Sequence, residues 1–159
     1  LLQKKLISGL YGLISYSFSN IEYKALDNVW RPGDFESEHV GNLVAGYRLN
    51  KNWEFSLKWR YASGRPYTPY DVEKSIEAGA GRIDTDNING ARFNPYHRLD
   101  LRFDHRSFFQ NFTLISYFSI ENVYNRKNQN AVFWNSDKQK ASFSYQTSFF
   151  PVGGFSLEF

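Results

Sequence analysis

The chain has 159 residues, enough for one domain of ordinary size, with 19% aromatic and 22% charged residues and a net charge of +3 from mixed signs. The absence of cysteine excludes a disulfide framework, a thiolate metal site and a cysteine nucleophile, and the absence of a basic block argues against a nucleic-acid footprint. No run approaches the roughly 18 apolar residues of a transmembrane helix; crossing by strands stays open, because alternation dilutes their apolar residues.

The first strand is expected over residues 5–20. Leu10, Gly12, Ile14, Tyr16 and Phe18 lie on one face and Tyr11, Leu13, Ser15, Ser17 and Ser19 on the other. Gly9 and Gly12 weaken it and mark a bend. Residues 21–38 read as a long loop, with Asn28, Pro32, Gly33 and Asp34 as turn formers. A second strand covers 39–49, and Asn50-Lys51-Asn52 is a tight turn into a third at 53–61. In this third strand the alternation is faultless: Trp53, Phe55, Leu57, Trp59 and Tyr61 face one way, and Glu54, Ser56, Lys58 and Arg60 the other. Its length suits a tilted strand crossing a bilayer, and its aromatic residues sit near both ends, where interfacial girdles lie.

Residues 64–96 form the longest irregular stretch, of a length that signals function or disorder. A fourth strand follows at 97–106, with Leu99, Leu101 and Phe103 on one face and Arg98, Asp100, Arg102 and Asp104 on the other. After a turn at 107–111 comes a fifth at 112–123, with Leu114, Phe118 and Ile120 opposed to Ser119 and Glu121; Ser116 and Tyr117 blur its alternation. Residues 125–146 read as a polar loop. The last strand, 147–159, alternates Phe155, Leu157 and Phe159 with Gly154, Ser156 and Glu158, and Pro151 and Gly153-Gly154 should bend it or add a bulge.

Short turns thus alternate with long loops. In an antiparallel meander all the long loops share one end and all the short turns the other, the asymmetry of outer-membrane barrels. The expected fold is all-β: an antiparallel, up-and-down transmembrane β-barrel segment of about six strands. Bacterial barrels start at about eight strands, and open edges are not tolerated in lipid, so the piece needs strands from elsewhere. Methionine is absent, also from position 1, and no signal peptide precedes Leu1; the expectation is a piece of a longer chain, with a processed small protein as the plainer alternative.

The order Gly64-Arg-Pro-Tyr-Thr-Pro69, Tyr96-His-Arg-Leu-Asp-Leu-Arg102, Glu121-Asn-Val-Tyr-Asn-Arg126 and Gly154-Phe-Ser-Leu-Glu-Phe159 resembles the C-terminal barrel portion of TonB-dependent outer-membrane receptors, over essentially the whole chain. The resemblance implies a 22-stranded barrel filled by an N-terminal plug. Such a receptor takes up a scarce nutrient, such as siderophore-bound iron, cobalamin or a saccharide, with energy delivered through TonB. Residues 1–159 would then be one unit, the last part of the barrel. The long loops would be extracellular and the C-terminus periplasmic; the plug and the TonB-contacting segment would lie upstream. The implied partners are outer-membrane lipid, the upstream strands and plug, TonB through the missing N-terminal part, and the barrel-assembly machinery. No cofactor is implied, and this piece alone should not transport anything. Phe155, Leu157 and Phe159 resemble the signal read by the assembly machinery; the plainer account is three lipid-facing residues.

Catalytic chemistry is not indicated. His97 and His105 are on the order of 26 Å apart along a strand and cannot share an ion, and His39 reads as a surface imidazole. The stretch 84–90 departs from a calcium loop at Ile88, Gly90 and Pro95. Asp100 and Asp104, roughly 13 Å apart, exceed the carboxylate spacings of glycosidases. No nucleophile elbow occurs, and the sequon at Asn111 falls on a turn expected to be periplasmic. No metal site is expected.

The interior charges Glu54, Lys58 and Arg60 should face Arg98, Asp100, Arg102 and Asp104 on the next strand, with Glu121 beyond, opposite charges pairing across the strands. They make either a hydrated wall or a contact surface for a plug. Ligand contact, if the chain is a receptor, falls to the long loops: Trp30, Arg31 and Phe35, then Arg65, Tyr67 and Tyr70, then Trp134. The same residue types also populate membrane interfaces. Two other readings remain: another outer-membrane barrel of porin type, and a soluble β-sandwich or lipocalin-like binding module with the aromatic faces turned inward.

Overall fold

A computed structural model describes residues 1–159, the side chain of Leu6 excepted. The chain is all-β and antiparallel. Its main sheet has seven strands: β1 (Leu2–Ile7), β2 (Leu10–Phe18), β5 (His39–Arg48), β6 (Trp53–Ala62), β9 (Tyr96–Phe108), β10 (Thr113–Glu121) and β13 (Phe150–Glu158), each paired to the next in that order. Among the described residues β1 and β13 remain its two edges.

The sheet has one strand more than the alternation implied. The segment expected as a single strand over 5–20 folds back on itself at Ser8-Gly9, where φ is 52° and 81°. Two successive left-handed residues make the mirror-image turn that matches the twist of a hairpin, so Gly9 reverses the chain instead of bending it. The next short turn is held by Asn50, whose Oδ1 accepts the amides of Asn52 and Trp53, both at 2.9 Å.

The connections 19–38, 63–95 and 122–149 all leave from the opposite end of the sheet and carry structure of their own. The first holds the hairpin β3 (Glu22–Lys24) and β4 (Trp30–Pro32). The second holds β7 (Pro66–Tyr67), the helix α1 (Val72–Glu77) and β8 (Ala91–Arg92). The third, expected as a plain loop over 125–146, holds the hairpin β11 (Gln129–Asn135) and β12 (Lys140–Tyr145). Ala141, Phe143 and Tyr145 alternate there with Ser142 and Ser144, a period-two signal hidden by the polar composition around it.

Pairing places side chains of one kind in rows. Leu10, Tyr47, Phe55, Phe103 and Phe118 are successive partners across five strands, as are Gly12, Ala45, Leu57, Leu101 and Ile120. The other face carries Ser15, Asn42, Arg60 and Arg98 in one row and Arg48, Glu54, Asp104 and Tyr117 in another. The register also settles β10: Ser116 lies in the apolar rows and Tyr117 in the polar ones.

The last strand pairs with β10 without interruption from Thr113↔Glu158 to Glu121↔Phe150, so the bulge expected at Pro151 or Gly153-Gly154 does not occur. Pro151 is tolerated because β13 is an edge strand here. Gly154 serves its neighbour: a Cβ there would meet the Tyr117 hydroxyl at 2.7 Å and its ring at 2.9 Å, and the Arg102 guanidinium lies 4.1 Å from the centre of that ring. Gly46 makes the same room for Tyr11 on the polar face, an aromatic ring covering a bare glycine.

Burial runs opposite to that of a soluble domain. Among the described residues the buried hydrophobic side chains are Phe93 and Ile115, whereas Glu36, Ser75, Asn89, Asp104, Asn122 and Asn128 are buried polar ones. Leu10, Ile14, Tyr16, Phe18, Tyr47, Trp53 and Phe118 of the apolar face are exposed.

Asn122 anchors the corner where β10 leaves the sheet. It is fully buried with φ 53°, its amide donates to the Arg126 (2.8 Å) and Thr147 (3.3 Å) carbonyls, and its Oδ1 accepts the Arg126 amide (2.9 Å). Replacing Asn122 with Ala should cost about 2–3 kcal/mol, because these backbone groups stay buried without partners. The measurement is the urea midpoint followed by tryptophan fluorescence; an unchanged midpoint would contradict this account.

Candidate functional site

Two regions bring the chemically active side chains together: the polar face of the sheet, and the layer formed by the long connections above it.

On the polar face the register sets Lys58 opposite Asp100, but Glu54 opposite Asp104 and Arg60 opposite Arg98. Two of these rows are like-charged, which corrects the expected pairing of opposite charges straight across β6 and β9. Relief runs along the strand instead, because side chains two residues apart share a face and lie roughly 7 Å apart, within reach of an arginine. Arg98 bonds Asp100 at 2.5 Å and Glu121 at 2.9 Å, and Arg102 grips Asp104 through two nitrogens. Glu54 accepts from Arg106 (2.8 Å), from Arg48 (3.2 Å) and from the Tyr11 hydroxyl (2.7 Å). Among the described residues Lys58 and Arg60 take part in no ion pair, and both are exposed.

Above the sheet the connections lock onto one another. Arg92 on β8 bonds Glu36 (2.5 Å) and Glu38 (2.9 Å) of the first connection; Glu36, with 1% of its surface exposed, also accepts the Ile21 amide. Asn89, in a left-handed conformation, donates to the Pro32 carbonyl (2.9 Å) and to Asp34 (2.6 Å). That use of Asn89, with the Asp84 carboxylate capping the Asp86 amide, accounts for the turn at 84–90 as local structure.

The seven residues singled out as ligand contacts divide. Arg65, Tyr67, Tyr70 and Trp134 come together across the second and third connections. Tyr67 packs on Phe93 (4.5 Å between ring centres) and Phe143 (6.0 Å), Tyr70 on Trp134 (5.9 Å), and Arg65 lies over Phe93 while donating to the Asn130 carbonyl (2.6 Å). Trp30 stands apart, exposed, whereas Phe35, also exposed, borders a shallow hollow with Arg65, Tyr67 and Phe93. Arg31 is engaged by Asp27 through two bonds of 2.5 and 2.9 Å, and this hydrogen bonding holds the Asp27 carboxyl at about 2. Phe93 and Phe143 were not legible as site residues; the alternation around Phe143 was the one available signal.

A cavity of about 260 Å³ opens where the polar face meets this layer, with Arg60, Ser63, Arg65, Tyr96, Gln129 and Gln146 on its walls. Gln129 is held in place by accepting the Asn94 amide at 2.7 Å. Its walls carry guanidinium, phenol, hydroxyl and amide groups. The histidines lie elsewhere: His97 pairs with Tyr61 and His105 with Trp53, near opposite ends of β6.

No family model and no curated protein matches this chain.

At the sheet's far end Phe155, Leu157 and Phe159 are exposed, and Phe155 and Leu157 extend the apolar rows opposite Ser116 and Leu114.

Two outcomes follow for the connections. Arg92→Ala should release the first from the second at a cost of about 2 kcal/mol, Arg92 being partly screened by solvent. The Ile21 amide should then exchange more than tenfold faster while β6 and β9 stay protected. Because the Asp27 carboxyl is depressed in the folded chain, its tie to Arg31 is complete above the ordinary value of 3.8 and lost as pH falls through about 2. The Trp30 indole resonance should shift over that window, and Asp27→Asn should abolish the shift.

Proposed function

We propose that this chain is the C-terminal wall and outer-loop section of a TonB-dependent outer-membrane receptor, which imports a scarce nutrient of the siderophore-iron, cobalamin or saccharide class. In this reading the seven strands span the outer membrane as part of a larger, 22-stranded barrel. The connections carrying β3–β4, β7–β8 and β11–β12 face outside, and the short turns and Phe159 face the periplasm.

The observation that carries the reading is the uncovered apolar face and its layering. Tyr16, Phe18, Tyr61 and His97 lie toward its outer end, Leu57, Leu101 and Ile120 across its middle, and Tyr47, Trp53, Phe55 and Phe103 toward its inner end. Trp53 to Tyr61 spans roughly 26 Å along the strand, comparable with the apolar band about 25 Å tall, bounded by aromatic girdles, of outer-membrane barrels. Left in water, a face of this size forgoes on the order of 10–20 kcal/mol of burial, as much as the whole stability of a soluble domain. Lipid removes that cost. Lipid also requires the edges of β1 and β13 to be paired, which calls for further strands and supports the larger barrel. The choice of family within such barrels rests on the resemblance of the ordered motifs.

The test is made on the source organism, with an antibody against the 71–94 connection. An outer-membrane band several times heavier than 18.6 kDa, shifting its mobility on boiling, is expected; a soluble band near 18.6 kDa would overturn the proposal. In reconstituted full-length receptor, lipids with brominated chains should quench Trp53 and Trp59. Deleting Phe159 should lower the outer-membrane yield if the terminal residues serve assembly.

A further inference from the structure

We infer that the cavity at the outer end of the polar face binds an oxyanion, a carboxylate or phosphate carried by a hydrophilic solute, and that Arg60 is the residue that recognises its charge. The inference rests on the receptor reading and adds a chemical class for what is bound.

The argument is one of charge already spent and charge left over. Five arginines lie on the polar face. Arg48 and Arg106 share Glu54, Arg98 holds Asp100 and Glu121, and Arg102 holds Asp104. Arg60 alone among them has no carboxylate among the described residues. It sits directly opposite Arg98, a like charge, and its partner on the other side is the neutral Asn42. Like charges facing across strands are destabilising; Asp100 and Glu121 answer the charge of Arg98, and that of Arg60 is left for a further negative group. The carboxylates of the adjoining connection do not supply it: Glu36 and Glu38 are both taken by Arg92.

This unspent guanidinium lines a cavity that joins the sheet to the outer connections. Lys58, also unpaired, follows two residues further down the same face of β6. The remaining wall groups suit the neutral part of such a solute. Tyr96, Ser63 and Gln146 offer hydroxyl and amide groups. Arg65, whose guanidinium is committed to the Asn130 carbonyl and the Phe93 ring, closes the outer side. A volume of about 260 Å³ falls just below the range of ordinary ligand pockets, roughly 300–1,000 Å³, and takes one small polar ring or chain. Arginine is the side chain that meets a carboxylate or phosphate through two parallel hydrogen bonds.

The experiment uses the full-length receptor in detergent and calorimetric titration with matched probes: galacturonate against galactose, and inorganic phosphate against chloride. Galacturonate or phosphate should bind in the millimolar range or tighter, more weakly as salt rises. The neutral sugar should bind at least about tenfold more weakly. Arg60→Gln should remove the preference for the charged probe, Arg60→Lys should keep part of it, and Arg102→Gln should leave it in place. Galacturonate and phosphate arms that differ would tell a carboxylate site from a phosphate site. Equal binding of charged and neutral probes, no binding of either anion at millimolar concentration, or an unaltered preference in Arg60→Gln would overturn the inference. These failures are distinguishable from failure of the receptor reading, which would appear as a protein absent from the outer membrane.

Discussion

Everything in this chain depends on keeping one face of a sheet apolar and the other polar across every strand at once. Side chains alternate with a period of two, so a slip of one residue in any ladder would turn a whole strand inside out. In the main sheet the ladders joining β2, β5, β6, β9, β10 and β13 run without such a slip, and its irregularity, between Lys4 and Ile7, lies on the edge strand β1; the other irregularity of register, between Gln129 and Ala131, belongs to the separate hairpin β11–β12. The rows Leu10–Tyr47–Phe55–Phe103 and Ser15–Asn42–Arg60–Arg98 are the visible result.

The same constraint decides where specific interactions reside. With the apolar side uncovered, packing cannot define the interior, and hydrogen bonding does so. Asn122 and Asn128 are buried because each satisfies more than one backbone group, and Asn89 and Glu36 because each joins a backbone group to a charged side chain of another connection. Tyr11 and Tyr117 lie over glycines; the Tyr11 hydroxyl donates to Glu54, and the Tyr117 ring offers its face to the Arg102 guanidinium. The charged wall is nearly self-neutralised by contacts along and between strands, which makes the leftover Arg60 conspicuous.

Much of this was legible in the sequence. The alternation in 53–61 and 97–106 gave both faces of β6 and β9, and the loop lengths gave the polarity of the meander. What escaped did so for identifiable reasons. Ser8-Gly9 forms a two-residue reversal without the Asn-Gly pair that announces one, so β1 and β2 read as one strand. The hairpin β11–β12 hides in polar sequence because its hydrophobic partners, Phe93 and Tyr67, belong to another connection. Cross-strand charge matching failed because register cannot be read from one strand: Glu54 lands opposite Asp104, and arginine reach along β9 repairs the mismatch. Of the outer aromatic residues, proximity sorted Tyr67, Tyr70 and Trp134, with Phe35 at their edge, from Trp30, and proximity between separate loops leaves no local pattern.

The unequal connections also bear on how the sheet comes together. Links of a few residues close β1 on β2, β5 on β6 and β9 on β10, whereas 19–38, 63–95 and 122–149 must close before neighbouring pairs meet. A link about eight times longer costs roughly 2 kcal/mol more in closure entropy. Closure entropy therefore favours three local ribbons, β1–β2, β5–β6 and β9–β10, with β13 added singly, and the Arg92 and Asn89 ties, which join the first connection to the second, close only where those ribbons lie side by side.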